Sequence, residues 1–203
     1  MKRSIATLGG ATALSAAIVC GGTVVPGTTA AWAAPPTTAT TATLVSATVA
    51  PAAHWPLLKQ GPNKTYPKVT VRSLQYLLNA HGAKLTVDGV FGLKTKAAVI
   101  AYQRAHHLTR DGVAGAATWS ALIVTVKQGS TGPAVRAVQD QLNFGIGKPG
   151  GKLVVDGIFG SKTKAAVIAY QKNVAGVVKG FTVNGIVGVQ TWNALVSGLG
   201  PQG

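Results

Sequence analysis

The chain repeats itself, so any fold proposed for it must build one unit twice. VRSLQYLLN at 71–79 returns as VRAVQDQLN at 135–143, and VDGVFG at 87–92 returns as VDGIFG at 155–160. KTKAAVIAYQ at 94–103 recurs unchanged at 162–171, and ATWSAL at 117–122 returns as QTWNAL at 190–195. The offset between matching segments grows along the repeat from 64 to 68 to 73 residues. The second copy therefore carries one insertion near Gly147–Gly151 and another near Ala175–Lys179, where surface loops are expected.

Within each copy the apolar residues keep helical spacing. Val135, Val138 and Leu142 fall at i, i+3 and i+7 on one face. Pro133 suits a first helical position, where its missing N–H costs nothing. Phe159, Thr163, Ala166, Val167 and Tyr170 give a middle helix its stripe, matched by Phe91, Thr95, Ala98, Val99 and Tyr102. Trp119 with Leu122, and Trp192 with Leu195, give a third helix its buried face. The expected fold is all-α: two tandem three-helix modules, spanning 54–124 and 125–200. Units of about 65 residues bury about 60 % of their surface and are marginal alone. The connector 124–130 is short, which predicts that the two modules pack close together. The segment 55–68, with Trp55, Leu57 and Leu58, is expected to fold onto the first module as its lead-in.

VDGxFG has a weaker echo in each copy, RDGVAG at 110–115 and VNGIVG at 183–188. Asp or Asn before Gly suits a tight turn: the side chain caps local N–H groups and Gly takes positive φ. A Gly just ahead of a helix then lets Phe91 or Phe159 plug the core.

Taken in order, V-x-x-L/V-Q-x-x-L, V-D-G-x-F-G-x-x-T-x-x-A-V-x-x-Y-Q and D/N-G-x-x-G-x-x-T-W-x-x-L resemble the peptidoglycan-binding-domain-1 family. Both copies match, so the resemblance covers about residues 55–198, with Asn184 standing where Asp is common. It implies small three-helix modules that hold proteins on the bacterial wall. Peptidoglycan, through its stem peptide or its glycan, is the implied partner. The resemblance brings no cofactor.

Candidate ligand-binding residues follow, each with a structural alternative. Gln75, Gln103, Gln139 and Gln171 sit beside apolar stripes; such amides pair with stem-peptide amides or cap backbone groups between helices. Asp88 and Asp156 order their turns or contact a sugar or amide. Tyr102 and Tyr170 offer a face to a sugar or belong to the core with the hydroxyl outward. Lys94, Lys96, Lys162 and Lys164 flank the middle helices as a solvated face or meet anionic wall groups, over about 8 Å at physiological salt.

Composition bears on export and chemistry. Lys2 and Arg3, an apolar run from Ile5 to Val25 and Ala31-Trp32-Ala33 have the order of a signal peptide, 1–33. Gly9, Gly10, Gly21, Gly22 and Pro26 break that run, which argues against a membrane anchor. Residues 34–53 read as a disordered Ala/Thr/Pro linker. Cys20, the only cysteine, would leave with the signal, so the exported chain has no disulfide and no thiol nucleophile.

Nineteen Lys and Arg stand against four acids, all Asp; without Lys2 and Arg3 the balance is still about +13. Such a chain is drawn to polyanions, and outside the cell those are anionic wall polymers and lipid head groups. The cations are scattered, which argues against a nucleic-acid surface. With no Glu there is no evident carboxyl pair for glycoside hydrolysis. His106 and His107 are adjacent and point apart on a helix, so no metal site is expected among His54, His81, His106 and His107. No G-x-S-x-G elbow occurs. The expectation is a secreted, wall-associated, non-catalytic monomer; the alternative is a wall hydrolase, or a modulator of one, with an unrecognised site.

Overall fold

The computed structural model describes residues 54–62, 64–145 and 152–198. The expected signal, the linker and the first insertion lie outside these. Six helices follow in order: α1 Lys68–Ala80, α2 Leu93–Ala105, α3 Ala116–Leu122, α4 Pro133–Gly145, α5 Ser161–Ala175 and α6 Val189–Ser197. Among the described residues no strand forms, only isolated antiparallel bridges. The all-α expectation of three helices per copy holds, and α4 begins at Pro133. The second insertion is taken up in part by α5, which has 15 residues against 13 in α2.

Each module needs its lead-in. Leu58 pairs with Ala114 through both backbone hydrogen bonds, as Val126 pairs with Val187 in the second module. Trp119 and Trp192 are fully buried. A buried indole N–H must find an acceptor, and each finds one in the preceding segment: Trp119 Nε1 donates to Pro56 O and Trp192 Nε1 to Val124 O, both at 2.8 Å. The chain ahead of each first helix is thus part of that module's core.

The first helices are buried too widely for one apolar stripe. Eight of the 13 residues of α1 are buried and seven of the 13 in α4, whereas α2 buries four. A helix packed on one side buries about a third of its surface; α1 and α4 pack on two, because they also pack against each other. Arg72 of α1 donates to both carboxylate oxygens of Asp140 on α4, Nε to Oδ2 at 2.6 Å and Nη2 to Oδ1 at 2.9 Å. Deeper in, Gln141 Nε2 donates to Ser73 Oγ at 2.9 Å. Tyr76 stands at the position equivalent to Asp140 and lies in the field of Arg136, the equivalent of Arg72. The contact is therefore reciprocal, as in an isologous dimer interface, here within one chain.

Candidate functional site

The glutamines singled out in the sequence make one arrangement four times. Gln75 Nε2 donates to Asp88 Oδ1 (2.8 Å), Val90 O (3.1 Å) and Thr95 Oγ1 (3.2 Å), while its Oε1 accepts from the Gly89 N–H (2.9 Å). Gln139 does the same with Asp156, Ile158, Thr163 and Gly157. Gln103 does so with Asp111, Val113, Thr118 and Gly112. Gln171 does so with Asn184, Ile186, Thr191 and Gly185. Each carboxamide is at most 1 % exposed. Each clamps a turn to the helix before it and to the third residue of the helix after it.

The turn residues follow from that geometry. In every copy the Asp or Asn Oδ1 accepts from the N–H two residues on. The Gly has φ between +70° and +79°. At Gly157 a Cβ would also come within 2.9 Å of Arg136 Nε, whose side chain lies across the turn. The fourth copy has a neutral partner, and its contact lengthens to 3.4 Å from Gln171 to Asn184; a carboxylate draws the donor closer. Donated hydrogen bonds hold three carboxyls below their ordinary range: from Gln75 and then the Val90 N–H for Asp88, from the Val113 N–H and then Gln103 for Asp111, and from the Ile158 N–H and then Gln139 for Asp156.

Two open grooves lie beside this scaffold. In the first module, about 490 Å³ is bounded by the end of α1, the loop 82–85 and the alanine face of α2. His81, Lys84, Ala97, Ala101, Tyr102 and His106 line it. In the second, about 580 Å³ lies between Lys152–Val154, the 156–163 turn and Ala165–Ala166 of α5. Lys84, Ala97 and Ala98 of the first groove correspond to Lys152, Ala165 and Ala166 of the second. Both volumes fall in the range of ligand sites, about 300–1,000 Å³. A smaller recess of about 230 Å³ adjoins Gln103 and Asp111.

The candidate residues are thus divided. Gln139 and Asp156 border the second groove and Tyr102 the first. Gln103 borders the recess. Asp88 and Asp156 are exposed, and Gln75 and Gln171 are interior. Tyr102 is 6 % exposed and donates its hydroxyl to Ala121 O at 2.7 Å. Tyr170 instead borders a void of about 20 Å³ with Pro67 and Gln141 of the α1–α4 boundary; burial pushes its hydroxyl pKa up. Sequence reasoning missed Lys84, Lys152, Ala97, Ala101 and Ala165 as groove residues and weighed His81 only as a metal ligand. The one available signal was the AA pair within KTKAAVIAYQ, whose first alanine (Ala97, Ala165) is exposed while its second (Ala98, Ala166) is half-buried against the core.

All four acids are engaged, three in the clamps and Asp140 with Arg72. Most of the positive charge among the described residues therefore has no carboxylate to pair with. Among the described residues no three His, Cys, Asp or Glu side chains converge as a metal site would require. None of the helices there is long and apolar enough to cross a membrane.

Compact three-helix modules in tandem, with their recurrent polar groups turned inward and grooves open beside them, define the class of fold. The chain belongs to the family entitled "Putative peptidoglycan binding domain", which matches residues 68–122 and 131–195. Membership implies peptidoglycan as the partner and association with the cell wall. The chain is similar to the zinc D-Ala-D-Ala carboxypeptidase of Streptomyces albus G, with 47 % identity over 53 residues, 25 % of this chain and 21 % of that protein. It spans about a fifth of that relative's length. No solved structure gives a significant match.

Proposed function

We propose that this chain is exported and grips peptidoglycan through the grooves of both modules without cutting it. The carrying observation is that the family match accounts for all six described helices. Two weak sites on one body exceed either alone by about 10²–10⁴ when both engage. The excess of Lys and Arg adds capture by anionic wall polymers and speeds encounter.

Sedimentation with purified sacculi tests this. At about 0.15 M salt the chain beginning at Ala34 is expected in the pellet; a chain left in the supernatant sinks the proposal. Raising salt to 1 M shortens the Debye length from about 8 to about 3 Å. Groove binding survives that change, whereas polyanion capture is lost.

One observation favours a second reading. The named relative is a carboxypeptidase, so modules of this kind also serve wall enzymes, and the chain would then be a hydrolase or modulate one. Clearing of a wall-containing gel by the purified chain, or co-purification of a secreted hydrolase, decides for that reading.

A further inference from the structure

Resting on the wall-binding reading, we propose that the first module's groove is a saccharide site that seats an N-acetylated amino sugar of the glycan strand in a corner of His81 and His106, and that the second module has no counterpart. Three rings build the corner. His106 stacks on Tyr102 with centroids 4.0 Å apart and planes at 28°. His81 meets Tyr102 edge-on at 4.9 Å and 63°. The two imidazoles therefore stand at 81° to each other, 6.0 Å apart. Tyr102 is fixed by its hydroxyl bond to Ala121, and His81 by the 2.8 Å contact of its Nε2 with Leu122 O. Both imidazoles are exposed.

The chemistry of this corner selects its occupant. A pyranose has an apolar C–H face and a polar rim. One imidazole supplies a face for stacking, and the perpendicular one supplies ring nitrogens at the level of the sugar's rim. A carbonyl only accepts, so His81 Nε2 donates to Leu122 O, and Nδ1 remains for a hydroxyl or acetamide group. Lys84 on the rim donates to a sugar or acetamide oxygen. Ala97 and Ala101 keep the floor low enough for a ring to enter. A phosphate would use Lys84 and waste the stacking face; a stem peptide's methyl groups would use the floor and waste the corner.

The second module keeps the lysine and the alanines, as Lys152, Ala165 and Ala166, but lacks the two imidazoles. Gly145 stands where the repeat would place the equivalent of His81, and Val174 where it would place that of His106. Val174 is fully buried within α5, and Tyr170 lies at the inter-module void. The two modules thus present different surfaces to one polymer.

The test is titration of the full chain with the β-1,4-linked tetramer of N-acetylglucosamine, observed through the histidine ring resonances. Saturable shifts at His81 and His106, with His54 still, are expected. His106→Ala, at an exposed helix end, is expected to weaken binding about tenfold, equivalent to about 1.4 kcal/mol; His54→Ala is expected to change nothing. If millimolar tetramer moves neither ring while the chain still sediments with sacculi, the saccharide assignment is overturned and wall binding stands. If a stem peptide moves those rings and the tetramer does not, the assignment is likewise overturned. Loss of sacculus binding by the unaltered chain overturns the broader reading instead. Equal weakening by both variants overturns the corner.

Discussion

Replacing Gln139 separates a structural clamp from a ligand contact. Gln139→Ala deletes the donors to Asp156, Ile158 and Thr163 and the acceptor of the Gly157 N–H. Gly157 is buried, so its N–H is orphaned at about 1–3 kcal/mol. Removing everything beyond Cβ in a 1 % exposed side chain also opens a hole. Apolar truncations of that size cost about 2–5 kcal/mol, but the adjoining groove admits water and trims this to the low end. A loss of about 3 kcal/mol follows, or about 6–12 °C in Tm for a body of this size. Gln139→Glu sharpens the test by keeping the shape and reversing the polarity. A second carboxylate then faces Asp156 Oδ1, which Gln139 Nε2 now approaches to 2.8 Å. Burial and repulsion raise the introduced carboxyl's folded pKa above its ordinary value of about 4.3. The penalty is therefore absent below that value and grows as pH rises above it. The assay is thermal unfolding of wild type and both variants from pH 7.5 to 4.5. A Gln139→Glu protein as stable as wild type at pH 7.5, or a penalty that does not change with pH, refutes the clamp argument.

Three further outcomes follow from the same geometry. Asp140→Ala strips the bidentate partner from Arg72, at about 1–3 kcal/mol for a part-buried charged group, and is expected to split a single calorimetric transition into two as the modules uncouple; a single transition at the original Tm refutes it. Asp88, Asp111 and Asp156 have depressed folded pKa values, so their stabilisation is present above the ordinary range of about 4 and is lost as pH falls through the lower folded values. Hydrogen exchange below pH 4 should open the first module, with two such carboxyls, before the second, where Asn184 does not titrate. Deleting residues 54–58 removes the acceptor of the Trp119 indole and the Leu58–Ala114 pairing, and is expected to expose Trp119 to solvent, read as a red shift in its fluorescence with Trp192 unaffected.

The helices were legible because their signal is periodic. Val135, Val138 and Leu142 declare a face by spacing alone, and all three are buried. The turns were legible as three Asp-Gly pairs and one Asn-Gly pair. What spacing could not supply was convergence. Gln75 reaches Thr95 across 20 residues and Gln139 reaches Thr163 across 24, and no period links them. Close packing of the modules was expected from the short connector, but the residues that make the contact were hidden. Nothing in the spacing pairs Arg72 with Asp140, which lie 68 residues apart, and Ser73 and Gln141 are polar residues on a face that proves to be buried. The first groove is assembled from the ends of α1 and α2, whose histidines suggested nothing while they were weighed only as metal ligands.

Repetition itself separates scaffold from recognition. A side chain whose partners all lie within its own module must recur wherever the module recurs, because the turn, the helix and the plugged core demand it each time. The four glutamines, the four turn glycines they bind and the four threonines meet that description. A side chain that meets a ligand is under no such demand, since each copy can meet a different part of the polymer. The differences between the copies therefore point to recognition more directly than their likeness does. His81 against Gly145 and His106 against Val174 are such differences, and they border an open groove. Asp140 against Tyr76 is another, and it is spent on the contact between modules. In a tandem built this way, the residues that announce the family hold the fold, and specificity resides in the positions where one copy departs from the other.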